Sequence, residues 1–306
     1  MSKQMDWIAT IMAREQSRGG FLRQATKRTR GAAALLTLVL AAAVSYTSVS
    51  AASGILDLGS STNDVPQNLP LGGFHHEGQP ARSGSRAEVL FIGTQPDVFS
   101  ALERWPLAKA LEQFGTLSGV KALTPPCPIV NTSGPCLTAY PTYDWSRAHY
   151  VSRYVAFVHK DVTNVQGRPF QHLTHQEAAL LRRYGPRPYK PRQVGNMDPC
   201  SPATLRSYPV VLIGGYIETI SNVVICADYS TQVPTAGGNS QQVPLSFEQI
   251  RSRIAGNVKS LGESTGPDVN AEANLISALI CHADHLQPKK VCSRPGIKGI
   301  LKYVKK

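Results

Sequence analysis

The sequence lacks the local signatures by which many hydrolases and nucleotide enzymes are recognised. It has no Gly-x-Ser-x-Gly elbow to raise a serine nucleophile and no Gly-x-x-x-x-Gly-Lys-[Ser/Thr] loop to cradle phosphates. His172 and His175 stand three apart with no glutamate between them, which is the wrong arrangement for a His-Glu-x-x-His zinc site and leaves them as surface residues. A charged body is also missing. The formal charge is +12, but the first 31 and last 20 residues hold fourteen of the 32 Lys and Arg and two of the 20 acids, leaving eighteen of each between them. A phosphate-binding face needs basic residues clustered on the folded domain, so nucleic acid is not the expected partner.

What the N-terminus does have is a basic segment, residues 1–31, running into an uncharged stretch from Gly31 to Leu56. About 20 apolar residues span a bilayer, and basic residues on one side only place that side in the cytoplasm. Residues 32–54 therefore read as a transmembrane anchor, with the membrane as partner. The competing reading is a cleaved signal peptide, because the strongly apolar part is short and Val49-Ser50-Ala51 resembles a small-residue cleavage site. Both readings export the body. In an oxidising compartment an even number of cysteines indicates disulfides, and the six here fall into three neighbouring couples, Cys127 with Cys136, Cys200 with Cys226, and Cys281 with Cys292. Six cysteines allow 15 pairings, so this pattern rests on loop closure alone.

Residues 55–86 are rich in Gly, Ser, Pro and Asn and read as a flexible spacer, with His75 and His76 solvated inside it. The body spans 87–295. Val89–Gly93 has strand length, and residues 97–114 show helical spacing with Phe99, Leu102, Leu107 and Leu111 apolar; Pro106 should kink this helix. Strands are expected at 120–123, within 139–145, at 154–158, and as a pair around Gly214–Gly215. Thr174 with Glu177, and Ser246 with Gln249, are capping boxes that open helices. A last helix covers about 268–285. The Pro-rich stretch 184–202 reads as a surface loop. Residues 296–306 read as a basic, solvated tail, with contact to anionic lipid as the alternative.

The β-α-β, then β-β-α order carries a resemblance. The segments "FIGTQPDVFSALERWPLAKALEQFGTLSGV", "GRPFQHLTHQE", "SYPVVLIGGYI" and "ANLISALIC" resemble a thioredoxin-like family catalogued as domain of unknown function 929. Gly93, Phe99, Ala101, Glu103, Arg104 and Trp105 match its redox turn and following helix, but its two cysteine positions hold Asp97 and Ser100. The resemblance implies an α/β, thioredoxin-like fold, a mixed central sheet flanked by helices, behind the N-terminal membrane helix. It also implies that Pro209 is the cis-proline facing the turn. A thiolate at a helix N-terminus is the chemistry of such turns. Asp97 can cap that helix but cannot form a disulfide, and the Ser100 hydroxyl does not replace a thiolate.

The expected function is therefore non-catalytic: a peptide or protein partner held at Asp97, Tyr208 and Pro209, with no cofactor. A second reading is a thiol–disulfide oxidoreductase using the displaced pair Cys127/Cys136. A third is a metal module at Cys281, His285 and Cys292, where Cys281 and His285 share a helical face; zinc wants four such ligands, and only three are evident.

Overall fold

A computed structural model describes residues 56–66, 71, 73–78, 81–125, 140–186, 208–218, 229–234, 240–257 and 264–304. The expected anchor at 32–54 lies outside the described residues. So do Cys127, Cys136, Cys200 and Cys226, and with them the two expected couples Cys127 with Cys136 and Cys200 with Cys226. Among the described residues no helix is long and apolar enough to cross a membrane.

The protein is a mixed α/β domain. Its strands are β1 (His75–His76), β2 (Arg82–Ser83), β3 (Arg86–Gly93), β4 (Gly115–Ser118), β5 (Lys121–Leu123), β6 (Thr142–Asp144), β7 (His149–Ser152), β8 (Val155–Asp161), β9 (Val210–Ile213), β10 (Tyr216–Glu218), β11 (Ser230–Pro234) and β12 (Ser240–Pro244). Its helices are α1 (Val98–Phe114), α2 (His175–Tyr184), α3 (Phe247–Gly256), α4 (Thr265–Ala283), α5 (Lys289–Cys292) and α6 (Pro295–Leu301). The main sheet runs β1-β10-β9-β3-β8, with the two-residue β2 paired to the start of β3. The β3–β8 pairing is parallel, from Ala87↔Val155 to Gly93↔Asp161, and the other pairings are antiparallel.

Alternation along the strands sets the layers. Val89 and Phe91 of β3, with Val211 and Ile213 of β9, join the main core that contains α1 and α4. Leu90, Ile92 and Val210 point the other way, where Tyr184, Leu180 and Leu181 of α2 cover them. On β10 the same rule sends Tyr216 into the main core and Ile217 to the α2 side, and it returns Glu218 to the face of α1 and α4. Helix α1 is buried nearly all round, which its sequence anticipates in having no polar stripe, and it runs on past Pro106 to Phe114. Both capping boxes are present: the Thr174 and Ser246 side chains accept from the Glu177 and Gln249 amides, whose own side chains accept from the cap residues' N–H.

Two stretches differ from expectation. Residues of the expected spacer are built into the fold: Leu56, Leu58 and Phe74 are core residues, and β1 adds His75 and His76 to the edge of β10. His75 pairs with Glu77, and the His76 ring packs edge-on against Tyr216. These apolar residues are single and widely spaced in a Gly- and Pro-rich background, so no period betrays them. The basic C-terminus is likewise packed: Ile297, Ile300 and Val304 are buried, while Lys298 and Lys302 point outward. The Cys281–Cys292 disulfide fastens this end to α4, with Cα atoms 5.7 Å apart. That bond overturns the metal reading at Cys281, His285 and Cys292. The two sulfurs bind each other rather than an ion, and His285 is exposed just beyond the end of α4.

Candidate functional site

The turn after β3 is built by close approach. A Cβ at Gly93 would come within 2.6 Å of the Phe91 ring and 2.9 Å of Ser100 Oγ, so only glycine lets the strand end there. Gln95 fixes the turn from the side. Its Nε2 donates to Asp144 Oδ1 at 3.3 Å, its Oε1 accepts from the Val165 amide at 3.0 Å, and its own amide donates to the Thr163 carbonyl.

Asp97 is the N-cap of α1, its Oδ2 accepting from the Ser100 amide at 2.7 Å. Ser100 is completely buried, and its hydroxyl accepts from the Thr94 amide at 3.3 Å. Burial pushes the half-buried Asp97 carboxyl above the usual aspartate range, against the opposing pull of its hydrogen bonds to Ser100 and of the Arg104 charge. One turn further on, the buried Arg104 guanidinium donates to Asp161 and to the Thr94 carbonyl and lies over the Phe91 and Trp145 rings. The turn thus holds no thiol, and its Asp97 and Ser100 side chains are engaged with the backbone, while Arg104 Nε and Nη1 have no hydrogen-bond partner among the described residues.

The opposite wall is the start of β9. Ile92 pairs with Val210, which brings the Tyr208–Pro209 peptide, in the cis form, beside the end of β3. Burial raises the Tyr208 phenol, and the negative charge of Asp97 raises it further, so the two side chains lie within electrostatic reach. The structure therefore brings Asp97, Tyr208 and Pro209 to one end of the sheet. Ser100 sits beneath them with no access to solvent. The pairing of Cys127 with Cys136, on which the oxidoreductase reading depends, and that of Cys200 with Cys226 fall outside the described residues.

The feature that sequence reasoning missed lies where α1, β10 and α4 meet. Glu103 of α1, Glu218 of β10 and Glu272 of α4 are each at most 1% exposed, and one carboxylate oxygen from each lies within 4.8 Å of the others. Neither oxygen of Glu103 or of Glu218 accepts a hydrogen bond within normal geometry. The Gly73 amide lies near Glu218 and pulls its carboxyl down slightly. That pull is overwhelmed: burial, then the Glu272 charge, hold both Glu103 and Glu218 well above the usual glutamate range.

The Tyr229 hydroxyl is buried nearby without a hydrogen-bond partner, and the charges of Glu103 and Glu272 reach it. The signal available in the sequence was weak: the three acids stand on elements far apart in the chain, and nothing local marks them as neighbours. Set against known protein families, curated proteins and solved structures, the chain matches none of them.

Proposed function

We propose that this chain is an exported, membrane-tethered, thioredoxin-like protein without the redox dithiol, and that it holds an extended peptide between the Asp97 turn and Tyr208–Pro209. One observation carries the reading. Parallel β8, then β3, then antiparallel β9 and β10, with α1 following β3 and α4 coming after β11, β12 and α3, puts the turn and the start of β9 at the same end of the sheet. That order and the Asp97 and Pro209 positions agree with the family resemblance carried by Gly93, Phe99, Ala101, Glu103, Arg104 and Trp105. A peptide laid beside Tyr208 would pair main chain with main chain, as in strand addition, with the half-buried Asp97 and Tyr208 contacting its side chains. This needs neither a thiol nor a cofactor, which suits a turn whose cysteine positions are Asp97 and Ser100. The uncharged run at 32–54 supports export and tethering.

Trapping tests it. In the full chain, Asp97→Cys is treated with a library of short peptides, each carrying one cysteine as a 2-thiopyridyl disulfide. Attack of the new thiolate forms the mixed disulfide and releases pyridine-2-thione. The expected result is coupling at least ten-fold faster than at Val151→Cys, an exposed control on β7, and slowed by an excess of the same peptides without cysteine. Equal rates at both positions with no competition would rule peptide capture out at this groove.

A further inference from the structure

We propose that Glu103, Glu218 and Glu272 form a buried binding site for one divalent cation of the calcium class. The site is distinct from the groove, since it is built by α1, β10 and α4 and shares no residue with Asp97, Tyr208 and Pro209. Its parts come from three elements distant in sequence, so their convergence is a product of the fold rather than of local composition. All three donors are carboxylates. With no imidazole and no thiolate in the set, the site suits hard cations and disfavours copper and zinc.

The dimensions select among hard cations. A triangle with sides up to 4.8 Å has a centre within about 2.8 Å of every corner, a few tenths of an ångström from Ca–O distances of 2.3–2.6 Å. Magnesium would need a contraction to about 2.1 Å and would keep several waters. Three glutamates can supply six oxygens if each binds bidentately, which meets the lower end of calcium's coordination without water.

A second observation points to a ligand beyond proximity. Both oxygens of Glu103 are fully buried and accept no hydrogen bond, and those of Glu218, equally buried, are approached only by the Gly73 amide outside normal hydrogen-bond geometry, although one oxygen of each faces the other within 4.8 Å. No ion pair among the described residues involves either of them, and the side-chain charges acting on them are acidic. Buried carboxylates without partners are neutralised by a bound ion or by protons. The Tyr229 hydroxyl, unpartnered and buried in the same region, adds a further oxygen within electrostatic reach.

The test uses the full chain, purified in detergent and stripped with a chelator. Calcium binding by equilibrium dialysis should give one ion per chain. Calcium at a hundred times its dissociation constant should raise the unfolding temperature by about 5–10 °C over the chelated protein. Glu218→Gln and Glu272→Asp should each weaken binding at least ten-fold, the second by shortening the reach while keeping the charge. Terbium, as a calcium surrogate, should show emission sensitised by nearby aromatic side chains and quenched by calcium, a readout that needs no variant.

No binding and no thermal shift would overturn the proposal and leave the three acids sharing protons. Binding and a shift that persist undiminished in Glu218→Gln would overturn it too, by placing the ion elsewhere. A response to manganese or magnesium alone would overturn the calcium assignment.

Discussion

Helix α1 carries two sets of buried polar side chains, one containing Arg104 and the other its neighbour Glu103, and they are managed in contrary ways. Towards β3 and β8, Arg104 meets Asp161 and two aromatic rings, Ser100 takes the Thr94 amide, and Asp97 takes the Ser100 amide. Towards β10 and α4, Glu103 faces Glu218 and Glu272, and its charge reaches the Tyr229 hydroxyl. Burial alone therefore does not distinguish a structural group from a binding group. What distinguishes them is whether the fold supplies the countercharge. In the first set the fold supplies it, Asp161 to Arg104, although Arg104 Nε and Nη1 have no hydrogen-bond partner among the described residues. In the second, no described residue supplies a countercharge to Glu103 or Glu218.

Breaking the first set should have the largest effect. Asp161→Ala leaves Arg104 buried without its carboxylate and should cost about 3–5 kcal/mol in urea unfolding. A loss under about 1 kcal/mol would mean that the rings and the Thr94 carbonyl suffice for Arg104.

The second set should reveal itself through pH. The folded-state carboxyls of Glu103 and Glu218 titrate above the ordinary 4.5, so between that value and their raised values the folded chain holds protons that the unfolded chain has released. Stability in chelator should accordingly fall as pH rises from about 4.5, by up to about 1.4 kcal/mol per pH unit for each proton. Asp97 contributes with the same sign, so the slope that disappears in Glu218→Gln is the part owed to the cluster. An unchanged slope in that variant would assign the effect to Asp97 and other groups.

The smallest effect is expected at the cap. Asp97→Ala removes one hydrogen bond at the start of α1 and should cost about 1 kcal/mol, measured by the same unfolding.

Much of the frame was legible because its signals are local. The Thr174/Glu177 and Ser246/Gln249 pairs announce helices α2 and α3 within four residues, and the apolar runs of β3 and β9 have strand length. Asp97 could be read as a cap because capping is decided by one side chain and the next turn of backbone. Strands β4 and β7 were not read: they are four residues long, and their ordering comes from pairing with each other rather than from alternation. The core role of Leu56, Leu58 and Phe74 was hidden for the same reason, since it is conferred by distant partners. The glutamate cluster was the least legible feature. Its members stand on one helix, one strand and another helix, and each alone looks like an ordinary surface charge until the fold turns all three inward.

The Cys281–Cys292 bond has a consequence for cleavage by proteases. The segment it encloses includes the turn from His285 to Gln287, where Leu286 is 51% exposed. A single cut there would not release the C-terminal helices, because the two fragments would stay covalently joined across the break. Such a nicked molecule would migrate as one species on a non-reducing gel and separate into two only after reduction, so exposure at this turn need not translate into loss of the packed C-terminus.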